Sequence, residues 1–474
     1  MKQKVIDELS TVSHVCTTAD IWSAHNRSFF GVTAHWIHPA SLTRQSAALA
    51  CTHMPGRHTF TAIAEHLHSV HSSYCIVSKV VMTVTDNASN FVKAFSEYAQ
   101  VVEVDDDDET VTVVDVDSVV SGTEVGNDDN EDAHDISVYL PPHQRCALHT
   151  LNLVAVSDTE SANSDASYKR VNRATMAKCC GMWNKASRST VCADIVRSKL
   201  KTSLVVPNDT RWNSHFRAVE KMKKVLEQHP GHVVSEVCQA LDVVPFHANE
   251  ICFINEYCTV MQPLASALDI LQGETKCFIG YLLPTLTSLE MKLKALRPNL
   301  RLAAPLVDAI LAGVAKRFAG YHDRHDLILA SITLPQFRLR WLEESKRASC
   351  RSLLYEQAGT VSVALVQENT EPAASTSQED DFFAFVSEPE NAGSNTTDAE
   401  VDAFLSDPSK EMVVLHKYPH ILKLFLKFNT PLPSSAPVER LFSLGGQIFV
   451  PRRNRLSNSH FERQLLLRAN KGLF

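Results

Sequence analysis

The chain has 474 residues, a formal net charge of −8, 44% hydrophobic residues and a mean hydropathy of −0.11. This length suits two or three domains, or one large domain with an insertion, and supplies ample material for a core. The composition excludes a protein that is basic throughout, although acids concentrate in Asp105–Glu109 and Asp128–Asp135 and the C-terminal part is rich in Lys and Arg. Because a local patch decides nucleic-acid binding, the acidic total does not exclude a DNA partner.

The cysteines and the hydropathy pattern indicate the compartment. The 12 cysteines have no regular spacing, and the first residues contain no apolar signal-peptide core. This pattern is typical of reduced thiols in the cytosol or nucleus rather than of a disulfide framework. No apolar run reaches the roughly 18 residues that span a bilayer, so we expect no membrane partner.

The first hundred residues predict the element order β-β-β-α-β-α. Alternating β-branched and aromatic residues indicate the strands, and apolar residues at helical spacing indicate the helices. The predicted elements are strands Val15–Asp20, Phe29–Ile37 and Ser46–Met54, helix Thr59–Ser73, strand Val80–Thr85 and helix Asn87–Tyr98.

The remaining chain divides by composition. Val101–Asp135 is rich in Asp, Val and Ser, which predicts a flexible acidic excursion. A strand end runs into a helix in Val138–Leu153, and Asn172–Leu354 has a predominantly helical pattern. Asn369–Ala399 is an acidic low-complexity linker, and a last structured piece covers Val401–Phe474. The simplest fold class is an α/β domain interrupted by a large all-α insertion, with core residues 13–150 and 401–474, insertion 151–368 and linker 369–400.

The stretch Ser434–Ser457 combines an acid, an apolar face and a basic cluster. It predicts a short helix that opens at Pro437, where a proline is tolerated, and that Gly445 and Gly446 break. Glu439 lies beside the apolar face in this helix, and one interpretation is a surface acid paired with Arg440. The basic cluster, a candidate for phosphate contacts, consists of Arg452, Arg453 and Arg455.

Three acids are placed where they can act together. If the first and fourth strands pair in parallel, Asp20 and Asp86 lie side by side at one edge of the sheet, where like charges repel unless a cation lies between them. Carboxylate oxygens are the ligands that Mg²⁺ or Mn²⁺ prefers. Glu439 would complete a site for two metals about 4 Å apart that cleaves phosphodiesters. The alternative for each Asp alone is a turn residue at a strand end, with Asp86 and Asn87 capping the next helix.

Five blocks in order resemble the hAT transposases, including the BED-finger-type proteins domesticated from them. The resemblance covers nearly the whole chain and is weakest in the acidic excursion and the linker. The blocks are TADIWS with FFGVTAHWI (Asp20), TVTDNASNFVKA (Asp86), CALHTLNL (Cys146 and His149), NDTRWNS (Arg211 and Trp212), and APVERLFSLGGQIFVPRRNRLSNSHFERQLLLRANK (Glu439).

The resemblance implies an RNase H-like catalytic domain that an all-α insertion divides. It implies that Asp20, Asp86 and Glu439 are the catalytic acids and bind Mg²⁺ or Mn²⁺. The implied reaction is attack by water, and then by a DNA 3′-hydroxyl, on phosphodiesters, with hairpins left on the flanking DNA.

Auxiliary roles also follow from the resemblance. Trp212 would stack on a displaced base, Arg211 would hold a phosphate or a carboxylate by its planar fork, and His149 would lie near the scissile phosphate. The alternative for Trp212 is a core aromatic residue. For Cys146 and His149 the alternative is a zinc site, against which no second ligand pair lies at finger spacing.

The resemblance further implies a homodimer. His416–Phe428 is too apolar for a solvated helix, so it belongs either to the core or to an interface. The residues implied in dimerisation are Phe425, Leu441 and Phe442, in an interface of the symmetric kind. The expected partners are DNA and a second copy of the chain in the nucleus, without a small-molecule substrate.

Two departures from the family leave the activity open. No C-x-x-C pair precedes Asp20, and His66, His68 and His71 do not have finger spacing, so they are expected to be surface or core histidines. The acidic excursion should oppose DNA unless it swings clear. The hypotheses are therefore a DDE-type transposase, a domesticated and catalytically silent dimerising DNA or chromatin regulator, and an RNase H-like nuclease acting on RNA, in which the R-W block has no role.

Overall fold

The structure is a computed structural model that describes residues 1–98, 138–207, 212–273, 277–368, 392–450 and 456–473. Several sequence predictions lie outside these residues and stay predictions. They concern the acidic excursion Val101–Asp135, most of the linker, Arg211, and the cluster Arg452, Arg453 and Arg455.

A five-stranded mixed sheet organises the N-terminal part. Its strand order is β3-β2-β1-β4-β5, with antiparallel β1/β2 and β2/β3 pairs and parallel β1/β4 and β4/β5 pairs. The parallel pairing of the first and fourth strands is therefore confirmed. The strands are β1 Val15–Ala24, β2 Arg27–Ile37, β3 Arg44–His53, β4 Val80–Thr85 and β5 His143–Arg145.

Three helices cover one face of this sheet: α1 Lys2–Ser10, α2 Phe60–Ser73 and α3 Ser89–Tyr98. Their apolar residues share one hydrophobic core with alternate residues of the strands. Helix α1 was not predicted, because only Val5 and Leu9 of its residues are buried and so short an apolar pattern carries little signal.

Every described element between β5 and residue 473 is helical, and one hydrophobic core runs from α4 to α15. Of the helices in the described ranges, none is long and apolar enough to cross a membrane. The α-helices are α4 Ala147–Val156, α5 Ala166–Arg188, α6 Thr190–Leu200, α7 Trp212–Gln228, α8 Gly231–Ala240, α9 Ala248–Leu271, α10 Leu282–Leu296, α11 Ala304–Arg317, α12 His325–Ile332, α13 Glu344–Glu368, α14 Ala392–Ser406, α15 Pro419–Asn429, α16 Ala436–Ile448 and α17 Asn458–Ala469.

Helix α14 begins inside the predicted low-complexity linker. Thr397, Val401 and Phe404 of this helix are buried. The predicted end of the linker is therefore too late, because polar composition concealed a helix that packs by a few side chains.

Helices α16 and α17 return to the sheet and cover its other face, where their apolar residues pack with Phe29 and Trp22. Helix α16 continues through Gly445 and Gly446 to Ile448, so the predicted break is wrong. A Cβ atom on Gly445 would lie 3.2 Å from the ring of Trp22 and 3.3 Å from that of Phe461. This glycine therefore allows close packing on the sheet rather than ending the helix.

Candidate active site

Asp20 lies within β1, opposite Gly31 of β2. The parallel register pairs Thr18 with Val84 in β4, so Asp20 and Asp86 each lie two residues beyond the last paired position. Strand β1 does not end at Asp20 as predicted, because it continues to pair with β2 alone. The carboxylate of Asp20 accepts a hydrogen bond of 2.7 Å from the backbone N–H of Ile21.

Asp86 follows β4 directly and leads into α3. Its Oδ1 accepts a hydrogen bond of 3.1 Å from the backbone N–H of Ala88, just before the helix begins at Ser89. The turn role expected for an isolated Asp is therefore present. That role leaves the second carboxylate oxygen available, because only Oδ1 accepts this bond.

Gly31 allows α16 to lie against the strand position that faces Asp20. A Cβ atom on Gly31 would be 2.5 Å from the ring of Phe442 and 2.9 Å from Val438, which lie one helical turn apart. Glu439 follows Val438 directly, and α16 contacts both β1 and β2. Because Gly31 has no side chain, α16 packs closely on β2 and contacts β1, the strand that carries Asp20. Glu439 of α16 therefore lies near that strand.

The charges of the three acids act on one another. Burial raises the pKa of the Asp20 carboxyl to about 8, the negative charges of Asp86 and Glu439 add to the rise, and the hydrogen bond from Ile21 opposes it. The three acids come from segments far apart in sequence. The structure therefore brings Asp20, Asp86 and Glu439 into one electrostatic neighbourhood.

Cys146 joins the starts of two helices. Its Sγ accepts the backbone N–H of His149 at 3.4 Å, as the N-cap of α4, and the backbone N–H of Ser435, just before α16, at 3.3 Å. Burial raises the pKa of this thiol, and the charge of Glu439 raises it further. Both of these Sγ contacts are with backbone N–H groups, so Cys146 serves as a helix cap in this structure, and His149 is exposed.

Three helices begin near one another at the carboxyl edge of the parallel strands. Asn87, ahead of α3, donates a hydrogen bond to Thr150 of α4, and the backbone N–H of Ala147 donates to the carbonyl of Pro433, ahead of α16. Helix N-termini carry a partial positive charge that attracts phosphate. The same edge therefore offers both carboxylates and anion-binding backbone groups.

The residue types of this set, though not their spacing in the structure, suit a divalent cation. Three carboxylates supply the oxygen ligands that Mg²⁺ and Mn²⁺ prefer, and a cation would relieve the repulsion that adds to the effect of burial on the pKa of Asp20. Within the described ranges no three His, Cys, Asp or Glu residues are spaced to hold a metal ion. The carboxylates thus form a neighbourhood rather than a closed cage.

The other predicted residues in the described ranges are Trp212 and the three residues implied in dimerisation. Trp212 is the first residue of α7. The three residues implied in dimerisation lie in the core of the single chain, with exposures of 0% for Phe425, 3% for Leu441 and 6% for Phe442. Phe442 stacks on Trp22 with ring centroids 5.8 Å apart, so these side chains are already packed without a second subunit.

The histidines of α2 have protein partners. His66 bonds the carbonyl of Ala62, His68 bonds that of Tyr139, and buried His71 bonds the hydroxyl of Thr17. Burial lowers the pKa of His71 to about 3. These contacts agree with the interpretation of surface and core histidines.

Two features beside Asp20 were not predicted from the sequence. One is the close approach of α16 at Gly31. A glycine inside the alternating strand pattern FFGVTAHWI is a signal for such an approach. The other is a buried hydrogen-bonded row, in which Thr18 and Thr33 lie 2.7 Å apart and Thr33 lies 2.8 Å from Nε2 of His35. Burial and the charge of Arg44 lower the pKa of His35 well below its usual range, so the row is neutral.

One family model and two known proteins match part of the chain. The family model for the ZBED1 RNase-like domain matches residues 18–107, a stretch that includes Asp20 and Asp86. Two proteins of Zea mays, named Putative AC transposase and Putative AC9 transposase, are each 27% identical to the chain over 218 residues. That match covers 45% of this chain and 23% and 22% of theirs. The matched stretch thus spans less than a quarter of either relative.

Proposed function

We propose, from the premise that the chain is an hAT-family transposase-like protein, that it cleaves and joins DNA phosphodiesters with Mg²⁺ or Mn²⁺. The observation that carries the proposal is the meeting of Asp20, Asp86 and Glu439, from three distant segments, at the edge where three helices begin. Acids gathered in a partly buried place repel one another, so their presence there needs a function.

A different contact holds each of the three acids in position. The Ile21 N–H holds the Asp20 carboxylate, the Ala88 N–H holds Asp86, and the packing of α16 on Gly31 positions Glu439. A divalent cation at these carboxylates would supply Lewis-acid stabilisation and an activated water. The N-termini of α3, α4 and α16 would orient the scissile phosphate.

The wider assignments follow the family resemblance. Residues 13–150 and 401–474 form an RNase H-like catalytic domain, and the helices of 151–368 form an all-α insertion. In this proposal His149 acts near the scissile phosphate, Arg211 holds a phosphate or a carboxylate, and Trp212 stacks on a displaced base. The cluster Arg452, Arg453 and Arg455 contacts DNA phosphates, and the protein works as a nuclear homodimer.

The test is cleavage of a labelled duplex that carries candidate terminal repeats, with Mn²⁺ or Mg²⁺. The wild type is compared with Asp86→Asn, Glu439→Gln and the control Asp194→Asn, an exposed acid of α6. We expect metal-dependent nicks or hairpins with wild type and control, and a loss of at least about 1,000-fold in the two site variants, since each removes a group that acts in the transition state.

Three outcomes separate the hypotheses. Cleavage that persists in both folded site variants contradicts the assignment of the acids. Binding of DNA without cleavage by a folded wild type favours the catalytically silent dimerising regulator. Cleavage of RNA alone favours the RNase H-like nuclease.

A further inference from the structure

Helix α5, Ala166–Arg188, is basic along its whole length. It has 23 residues, among them several Lys and Arg and no Asp or Glu. Its buried side is apolar and consists of Tyr168, Thr175, Cys179, Met182 and Trp183. The basic residues therefore lie on the sides that do not face the core.

Two of the lysines have structural partners. Lys178 pairs with Glu250 at 2.6 Å where both side chains are nearly buried, and Lys185 pairs with Asp242 at 2.7 Å. The other four cations lie on the exposed surface of α5, and within the described ranges none of them forms an ion pair. We call these four residues, Lys169, Arg170, Arg173 and Arg188, the basic stripe.

Helix stability does not explain the N-terminal part of this stripe. Lys169 lies in the first turn of α5, where the helix dipole makes a cation unfavourable by about 0.3–1 kcal/mol, and Arg170 and Arg173 follow in the second turn. Arg173 also lies four residues from Lys169 and three from Arg170, spacings at which like charges repel by about 0.2–0.5 kcal/mol per pair. Only Arg188, in the last turn, complements the dipole.

The shape of this surface suits an extended anion. A helix of this length spans about 34 Å, which is comparable to one turn of B-form DNA. Beside the C-terminal end of the stripe is an open hollow of about 420 Å³, lined in part by Asn184, Lys185 and Ser189. Three of the four cations lie within residues 169–173, and Arg188 follows about 22 Å further along the helix, so together they suit a long anion better than a single small ion.

We infer that the basic stripe is a second DNA contact, at which α5 binds the phosphate backbone outside the acid site. This inference rests on the proposed function, because it assumes that the substrate is duplex DNA. The contact carries no sequence information by itself, since phosphates are the same at every base pair. It would hold the duplex while the acid site acts.

The test measures duplex binding against salt concentration by fluorescence anisotropy, in EDTA so that no cleavage occurs. The stripe variant combines Lys169→Gln, Arg170→Gln and Arg173→Gln. The control variant combines Lys292→Gln, Lys346→Gln and Arg351→Gln, exposed cations of α10 and α13 that change the net charge equally. Cleavage by the wild type is measured separately with Mn²⁺, so that the two proposals are judged on different readouts.

We expect the stripe variant to reduce the slope of log K against log salt by about 0.9 for each lost contact, equally on duplexes of unrelated sequence. The control variant should keep the wild-type slope. Because the removed charges repel one another, the melting temperature of the stripe variant should be no lower than that of the wild type.

Equal slopes for the stripe and control variants overturn the inference, even if the wild type cleaves DNA. If the wild type cleaves DNA and the stripe variant binds the duplex as tightly as the wild type, the proposed function stands and the inference about the stripe is overturned. A fall in melting temperature together with lost binding indicates a structural role instead and counts against it. The same anisotropy measurement with a labelled single-stranded RNA covers the other nucleic acid: if the stripe variant lost RNA binding and kept duplex binding, the stripe would belong to RNA and the duplex contact would be contradicted.

Discussion

The molecule gathers like charges in two places, and their surroundings differ. At the carboxyl edge of the sheet, acids meet in a partly buried place, and burial together with mutual repulsion raises the pKa of Asp20 to about 8. On α5, cations meet on an exposed surface where water and salt screen them. The two proposals give these charges different uses: the partly buried acids would bind a small cation, whereas the exposed cations would bind a long anion through many weak contacts.

The position of Glu439 beside Asp20 depends on the close packing of α16 on Gly31. We expect a substitution at Gly31 to have the largest effect on stability and cleavage. Gly31→Ala would force its Cβ against the ring of Phe442 and the side chain of Val438. We expect a loss of about 1–3 kcal/mol in the free energy of unfolding, as for overpacked cores, together with loss of cleavage as Glu439 moves. Urea unfolding and the cleavage assay measure the two effects.

A second glycine provides the control. A Cβ atom on Gly446, in the exposed part of α16, would meet only Trp22, at 3.9 Å. Gly446→Ala should therefore stabilise the helix by up to about 1 kcal/mol and leave cleavage unchanged. If the two alanine variants behaved alike, the close approach at Gly31 would not position the acid.

Asp20→Asn tests the electrostatic side of the comparison. The folded protein holds the pKa of Asp20 near 8, above the ordinary value of 3.8, so its contribution to stability is full below pH 4 and is lost as the pH rises toward 8. Asparagine cannot ionise. In EDTA at pH 8 we expect the variant to be more stable than the wild type by on the order of 1–2 kcal/mol, which is less than the whole shift at about 1.4 kcal/mol per pKa unit because water screens the partly exposed carboxyl. The difference should shrink at pH 4.

Urea unfolding at the two pH values checks this expectation. The exposed carboxylate Asp194 serves as the matched position, since Asp194→Asn should leave the pH dependence as in the wild type. A difference between wild type and Asp20→Asn that stays constant from pH 4 to pH 8 would show that the Asp20 carboxyl is not held neutral.

The exposed row should respond weakly and with opposite signs at its two ends. Arg170→Glu places an acid near the positive end of α5 and opposite Arg173, which should stabilise the protein by about 0.3–1 kcal/mol. Arg188→Glu places one at the negative end and should destabilise it by a similar amount. Both should weaken duplex binding. Matching changes in stability and binding would instead indicate that the stripe serves the fold.

Local sequence patterns predicted most strands of the sheet, because alternating residues and a short buried apolar run are both recognisable signals of a strand. The parallel pairing of β1 with β4, and hence the meeting of Asp20 with Asp86, followed from that order. The packing of α16 on Gly31 joins residues about 400 positions apart, and no local pattern encodes it. For the same reason Gly445 was interpreted as a helix breaker, although Trp22, distant in sequence, explains it.

The second property that the sequence did not reveal was where the apolar residues are buried. Phe425, Leu441 and Phe442 have the apolar character of an interface, and only the packed chain shows that they fill its own core. Periodicity alone does not distinguish a helix face that meets the same chain from one that meets another. Similarly, Cys146 has the residue type of a metal ligand, but its hydrogen bonds to two backbone N–H groups make it a helix cap.

The most direct test of the account is calorimetric titration of the protein with Mn²⁺ in the absence of DNA. We expect binding by the wild type and by Asp194→Asn, and binding at least about tenfold weaker in Asp20→Asn and Glu439→Gln, each of which removes a carboxylate ligand. Equal Mn²⁺ affinity in all four folded proteins would contradict the claim that Asp20, Asp86 and Glu439 together form a cation site.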